Sequence, residues 1–417
     1  MESRARLRRN VTPQRAVLTF GILLGMVALV ASVARLLSGP ELDFHAYYFA
    51  GKAVLQGNPF VGYAVKEGTF LTRKEYVYVP VTVLSFLFYG AFPRWEIPYL
   101  INAGILVVTF LALSRITTSY IESQGRSLEP IDRWLIRGFF VLSLPSILGI
   151  YRGNVDPIIL LMLVVGFLAI ERGRGAVGGS LWAIASLFKL FPALLGVWLL
   201  HRRAWRAVAG AIVVGCSSLA ASVLLFGVDA NVEFVEFILE ERSRNGAFEG
   251  GLGVEFMYLS LKRPLSHLLP IAGHALTLVA FAVLSPLLFL LYRRASTAHD
   301  QLLVLFGTLI ALLITIVPST AGYVVYLLFP LVALAYVTED WRARRCFVAG
   351  LVLINLPVFP RHIHDISTET SLSAGFAGTV LSALEAVLTY GSVTLWGMLL
   401  VLAGCLFAVS ASGGDSP

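Results

Sequence analysis

Apolar runs separated by short basic, glycine-bearing or proline-bearing breaks follow one another along all 417 residues. The candidate runs are 17–37, 78–92, 97–113, 135–150, 157–170, 176–188, 191–200, 207–226, 270–292, 301–317, 323–337, 346–359 and 387–409. A helix needs roughly 20 apolar residues to cross a hydrocarbon layer of about 30 Å. Several of these runs are shorter, and short helices at membrane depth belong around a cavity, because their open backbone ends cannot face lipid. The stretch Lys189-Leu190-Phe191-Pro192 has basic loops on both sides and predicts two half-length helices that turn near Lys189. The pattern as a whole predicts an all-α polytopic membrane protein with about twelve or thirteen crossings. Charge counting places Arg115 to Arg137 inside, which conflicts with full crossings by both 78–92 and 97–113. One of these early segments is therefore expected to lie in the interface or to re-enter.

Three long polar stretches fall on the outer side: 38–76, 227–269 and 361–379. In the first, the apolar positions of 44–54 recur at helical spacing while Lys52 offers a polar face. That pattern predicts an amphipathic helix along the membrane surface. Gly51 and Gly57-Asn58-Pro59 supply breaks. The second stretch carries Phe234 to Leu239 followed by Glu240-Glu241-Arg242-Ser243-Arg244, and the third carries Arg361-His362-Ile363-His364-Asp365.

Composition agrees with the pattern. The chain is 57% hydrophobic and 14% charged, with a mean hydropathy of +0.80, which excludes a soluble globular protein. The net charge of +7 does not indicate nucleic acid, because the basic residues gather in short loops between runs. Arg4 to Arg9, Arg172 to Arg174, His201 to Arg206, Arg293-Arg294 and Arg342 to Arg345 form the positive-inside signature of cytoplasmic loops. Cys216, Cys346 and Cys405 lie in apolar runs without paired spacing and are expected to be buried structural thiols. Basic residues before the 17–37 run, with Ser32-Val33-Ala34 at its end, also resemble a signal peptide. The run is long for a signal core, so a retained first helix with a cytoplasmic N-terminus is expected, in a multi-pass protein of the plasma membrane.

Polar side chains at the outer ends of the runs are few: Asp43, His45, Lys52, Arg152, Asn154, Asp156, Lys189, Glu255, Tyr323, Arg361, His362 and His364. Carboxylates beside lipid are costly and call for a reason. Acids and bases near one membrane face, with cations among them, suit a lipid-linked phosphate, which needs Arg or Lys partners. An acceptor alcohol needs a carboxylate or imidazole to take its proton. Each residue also has a plainer reading. Asp43 can cap the helix that follows it, and Tyr47 and Tyr48 can anchor at the headgroup level. Lys189 can snorkel, and Arg152 and Asp156, four residues apart, can pair on one helical turn. Asn154 can be a turn residue, and Glu240 to Arg244 a solvated helix face. His362 and His364 can be ordinary loop histidines, directed to one side if the segment is a strand. Neither an Asp-x-Asp motif nor a histidine cluster demands a metal.

Several of these pieces resemble one family when taken in order. Asp43 with Tyr47-Tyr48, Ala50-Gly51, Gly57 and Pro59 is similar to the first outer loop of the polyprenol-phosphate-dependent glycosyltransferases of family 87, within the C-type membrane glycosyltransferase superfamily. Tyr76-Val77-Tyr78-Val79-Pro80 resembles that family's Tyr-Pro-Pro lead into the next helix, and Gly153-Asn154-Val155-Asp156 its Gly-Gln-x-Asn. Gly178-Gly179, Lys189-Leu190-Phe191-Pro192 and Arg202-Arg203-Ala204-Trp205-Arg206 resemble its Gly, Lys-x-x-Pro and Arg-Arg-x-Trp block. The chain departs from the pattern at Tyr323, where the family often carries His after a Ser-Pro turn, and at Glu255, where Asn is frequent.

The resemblance implies one integral membrane domain over 1–417. Residues 1–226 would form the family-like catalytic module and 227–417 a variable set of helices. It implies direct, inverting transfer of one hexose, mannose for preference, from a polyprenyl-phosphate donor to a glycolipid or glycan acceptor at the outer face. Asp43 would be the general base. Arg152, Lys189, Arg242 and Arg361 would hold the donor phosphate. His45, Tyr47, Tyr48, Asn154, Asp156, Glu255, Tyr323, His362 and His364 would line the substrate site. No cofactor, no metal and no nucleic acid are expected, and a monomer among membrane lipids is. The competing function is a transporter or lipid-linked sugar flippase, which also uses broken helices and intramembrane charge; a non-catalytic assembly subunit is the third.

Overall fold

The computed structural model describes residues 12–37, 42–62, 66–67, 70–71, 75–243, 248–295, 297–317, 320–369 and 375–412. It is an all-α polytopic membrane protein. Among the described residues, strand structure is limited to one small antiparallel pair, Lys66–Glu67 with Phe70–Leu71. Among the described residues, six helical stretches are long and apolar enough to cross a membrane: Pro13–Leu37, Glu96–Ser123, Pro130–Arg152, Trp205–Glu240, Gly273–Arg294 and Val393–Ala411. Shorter apolar helices cover Pro80–Gly90, Gly175–Phe188, Phe191–His201, His299–Thr315, Ala321–Val337 and Gly378–Thr389.

Several elements differ from the hydropathy reading for local reasons. Residues 78–92 form a 3-10 helix, Pro80–Phe86, and one α turn, Leu87–Gly90. Pro80 starts this segment, and it is too short to cross a membrane alone. The run 97–113 extends to Glu96–Ser123, because Arg115 and its polar neighbours stay helical beyond the apolar stretch. The run 387–409 divides into Gly375–Thr389 and Val393–Ser412 around Gly391. His362 and His364 lie on the helix Pro360–Glu369, where side chains two apart diverge, rather than on a strand. Cys405 is buried, but Cys216 is exposed and Cys346 half-buried. The exposed thiol stands on the first part of Trp205–Ser243, a helical stretch broken at Gly227 (φ +80), with many of its apolar side chains exposed.

Two expectations hold closely. Gly175–Phe188 ends at Lys189, which is extended (φ −141, ψ 129), and the short helices Phe191–Leu194 and Gly196–His201 follow. The helix predicted for 44–54 is Phe44–Leu55.

The chain divides into two compact units. One comprises Met1–Met26, Ser114–Pro145 and Asn245–Pro417. Within it, Arg15 donates to both carboxylate oxygens of Asp132 at 2.8 Å and pairs with Glu129 at 2.7 Å, while Tyr336 donates to Asp132. The Leu328–Val337 helix is buried on nearly every face.

The other unit comprises Val27–Leu113 and Ser146–Arg244. Glycines let its helices touch backbone to backbone. A Cβ on Gly179 would lie 1.8 Å from the Ala207 carbonyl oxygen, and one on Gly210 2.4 Å from that of Ala176. The Phe44–Leu55 helix meets the Pro80–Gly90 segment in the same way. A Cβ on Gly51 would lie 2.4 Å from the Phe86 carbonyl oxygen, and one on Gly90 2.2 Å from the Lys52 nitrogen. This crossing fixes the helix that begins just after Asp43.

Candidate functional site

The second unit brings Asp43, Arg152, Asn154, Asp156 and Lys189 into one polar cluster. Asp43 stands at the N-terminus of Phe44–Leu55, yet its side chain makes no capping hydrogen bond there. Its carboxylate turns to another segment instead, where Asn154 Nδ2 donates to Oδ2 at 2.9 Å. The Arg152 guanidinium stands 3.9 Å from the same oxygen. The Asp43 side chain is 20% exposed and that of Arg152 46%, so the pair forms an open edge of the cluster.

Gly153 makes this arrangement possible. Its φ of +66 ends the helix Leu144–Arg152, and a Cβ there would meet the Phe44 Cβ at 2.7 Å. The segment therefore passes directly against the helix that carries Asp43, at a conformation glycine adopts without strain. Asn102 holds it by donating to the Gly153 carbonyl at 3.0 Å while accepting from Tyr89 at 3.0 Å. The same break separates Arg152 from Asp156. Four residues apart on a continuous helix they would share a face, but the turn at Gly153 sends Arg152 towards Asp43 and Asp156 towards Lys189.

Asp156 and Lys189 form an ion pair at 2.6 Å, with side chains 4% and 12% exposed. Lys189 reaches it from the extended link between two helices, where the backbone is off the helical path. Lys189 therefore neither snorkels to solvent nor stands as an isolated charge. Beneath Asn154 lies Tyr47, whose hydroxyl donates to Asn154 Oδ1 at 3.4 Å and accepts from the Val155 amide at 3.4 Å. Tyr47 also shares a hydrogen bond with Tyr78 at 3.0 Å. Burial, and then the Asp43 carboxylate, pushes the Tyr47 phenol well above its ordinary range. Burial, reinforced by Tyr47, does the same to Tyr78. Both phenols stay protonated and able to donate.

The other expected site residues fall elsewhere. His45 is buried, its ring 4.7 Å from Trp95 and 6.0 Å from Phe49. Tyr48 is buried, with its hydroxyl on the Phe92 carbonyl at 3.0 Å and its ring beside Lys52. Neither Tyr47 nor Tyr48 is an exposed interfacial anchor: Tyr47 stacks on Phe86 and Tyr48 is hydrogen-bonded to Phe92, and both are buried. Arg242 lies near the end of the Trp205–Ser243 helix, and its side chain is outside the described residues.

Five candidates belong to the other unit. Glu255 is exposed in a turn. Tyr323 is half-buried beside Tyr326. Arg361 pairs with Asp365 at 3.6 Å. His362 Nδ1 accepts from the Phe359 amide at 3.3 Å. His364 meets Glu385 at 3.2 Å. Asn102, Tyr78 and Tyr89 were not among the expected residues. Asn102 had a signal in the sequence, as an amide in the middle of the 97–113 run, where lipid offers it no partner.

Chemically, the cluster presents a partly open carboxylate held by an amide, a guanidinium beside it, and a buried, charge-balanced base of Asp156, Lys189 and two phenols. That suits removal of a proton from an alcohol next to an anionic leaving group. The chain is 24% identical over 303 residues to the polyprenol-phosphate-mannose-dependent alpha-(1-2)-phosphatidylinositol pentamannoside mannosyltransferase of Mycolicibacterium smegmatis, covering 72% of this chain and 68% of that protein. The family model of glycosyltransferase family 87 matches residues 76–320, a stretch that holds Arg152, Asn154, Asp156 and Lys189 and begins after Asp43. With more than half of its length matched, the chain belongs to glycosyltransferase family 87.

Proposed function

We propose that this glycosyltransferase moves a single mannosyl residue from a polyprenyl-phosphate donor to a hydroxyl of a membrane glycolipid, at the outer face of the plasma membrane. The donor and the class of acceptor follow the printed function of the mycobacterial relative. The observation that carries the reading is the Asp43 carboxylate, partly exposed, directed at Asn154 rather than at its own helix, with Arg152 beside it.

In the proposed step the acceptor oxygen attacks the anomeric carbon from the side opposite the phosphate. The C–O bond to the acceptor forms as the C–O bond to phosphate breaks, and the configuration inverts. The acceptor proton passes to Asp43 as general base, a role that typically contributes about 10²–10⁴ in rate. The electron pair of the broken bond leaves with the polyprenyl monophosphate. Arg152, at the edge of the cluster, meets that developing charge. Lys189, committed to Asp156, supports the floor of the site.

The test is to incubate the purified protein with a polyprenyl-phosphate mannose and an inositol glycolipid acceptor. The expected products are a glycolipid one hexose larger, with inverted anomeric configuration, and one polyprenyl monophosphate per transfer. A retained configuration, or movement of the donor across vesicles without a new glycosidic bond, would overturn the proposal.

A further inference from the structure

The geometry points to Asn154 as the residue that positions the catalytic base. We infer that its amide clamps the Asp43 carboxylate in the direction from which it meets the acceptor alcohol. This rests on the reading of Asp43 as the general base.

The orientation of the Asn154 amide is fixed by its neighbours. Its Oδ1 receives two donors, the Asp156 backbone N–H at 3.1 Å and the Tyr47 hydroxyl at 3.4 Å. A backbone N–H can only donate, so the atom facing it must be the carbonyl oxygen, and the amino group is left to face Asp43 at 2.9 Å. The reversed amide would set Nδ2 against a donor and Oδ1 against a carboxylate oxygen.

The clamp is itself held on every side. Tyr47, buried and hydrogen-bonded to Tyr78, supports it from below. Asn102 and the left-handed Gly153 fix the backbone just before it, and the Asp156–Lys189 pair fixes the helix start just after it. A plain turn residue would need only its bond to the Asp156 amide. The Nδ2 bond to a partly exposed carboxylate on a distant segment serves no turn. It removes rotational freedom from a group that must be aligned with substrate, which is where positioning gains rate. An amide also donates without titrating, so it favours the ionised carboxylate at every working pH.

The experiment compares Asn154→Ala, Asn154→Asp and Asp43→Asn, each in the full-length protein, by steady-state transfer across a pH series. Asn154→Ala is expected to lower kcat about tenfold to a hundredfold with donor KM within about twofold. Asn154→Asp places two carboxylates at hydrogen-bond distance, and both cannot ionise freely. The proton that stays shared between them weakens Asp43 as a base until it leaves, so the acid limb of the rate profile moves up by about one pH unit or more. The double variant Asp43→Asn with Asn154→Ala is expected to be no slower than Asp43→Asn alone, because the clamp then has no base to hold.

An acid limb unmoved in Asn154→Asp, or losses that multiply in the double variant, would overturn the positioning role and leave Asn154 a structural turn. Full activity in Asp43→Asn would instead remove the base itself.

Discussion

At the residue scale the cluster separates two kinds of charge. Asp43 and Arg152 are partly exposed, whereas Asp156 and Lys189 are closed in on each other. A buried ion pair adds little net stability, but removing one partner strands the other and typically costs about 3–5 kcal/mol. Lys189→Met is therefore expected to lower unfolding stability in detergent by about that amount, with Lys189→Met combined with Asp156→Leu recovering much of it. A Lys189→Met protein as stable as wild type but with a raised donor KM would show that Lys189 holds phosphate instead. Asp43, Arg152, Asn154, Asp156 and Lys189 were all legible as candidates, because polar side chains at the ends of apolar runs are costly and few. Their pairing was not. The local rule put Arg152 with Asp156, and only the left-handed Gly153, whose φ leaves no mark in hydropathy, redirects the two.

At the element scale the predicted break at Lys189 and the helix after Asp43 both appear, since periodicity and Lys-x-x-Pro chemistry are local signals. What the pattern could not carry is burial. The Phe44–Leu55 helix reads as a surface amphipath, yet Phe44, His45, Tyr47 and Tyr48 are all covered. Part of the cover comes from Pro80–Gly90, a segment that hydropathy alone treats as a crossing, whose Phe86 stacks on Tyr47; Trp95, Phe92 and Gly153 lie against His45, Tyr48 and Phe44. The contact between them depends on Gly51 and Gly90. Gly90→Ala would force a Cβ to within 2.2 Å of the Lys52 backbone nitrogen, so one element must move. Overpacking of this kind costs about 1–3 kcal/mol, and here it displaces the helix that starts beside Asp43. Transfer is expected to fall about tenfold or more, in line with the cost of an ångström of misplacement. A Gly90→Ala enzyme with wild-type kcat would mean that the crossing does not set the base.

At the scale of the whole molecule, the chain is a polytopic membrane glycosyltransferase of family 87, with six crossing-length helical stretches and a set of shorter apolar ones among the described residues. The helix that starts at Trp205 packs one face on Gly175–Phe188 through Gly179 and Gly210 and breaks at Gly227, where φ is +80. Class and family were legible early, because composition, positive-inside loops and ordered motifs are properties of the whole chain. The identity of the sugar acceptor leaves no such mark, because neither composition, loop charge nor the ordered motifs depends on it. The central claim is that a sugar leaves its lipid phosphate as Asp43 takes the acceptor's proton. The most direct measurement is the transfer rate of Asp43→Asn, purified and folded, against wild type with polyprenyl-phosphate mannose and glycolipid acceptor. The account predicts a kcat lower by about 10²-fold or more with donor KM little changed. A rate within a few-fold of wild type would contradict it.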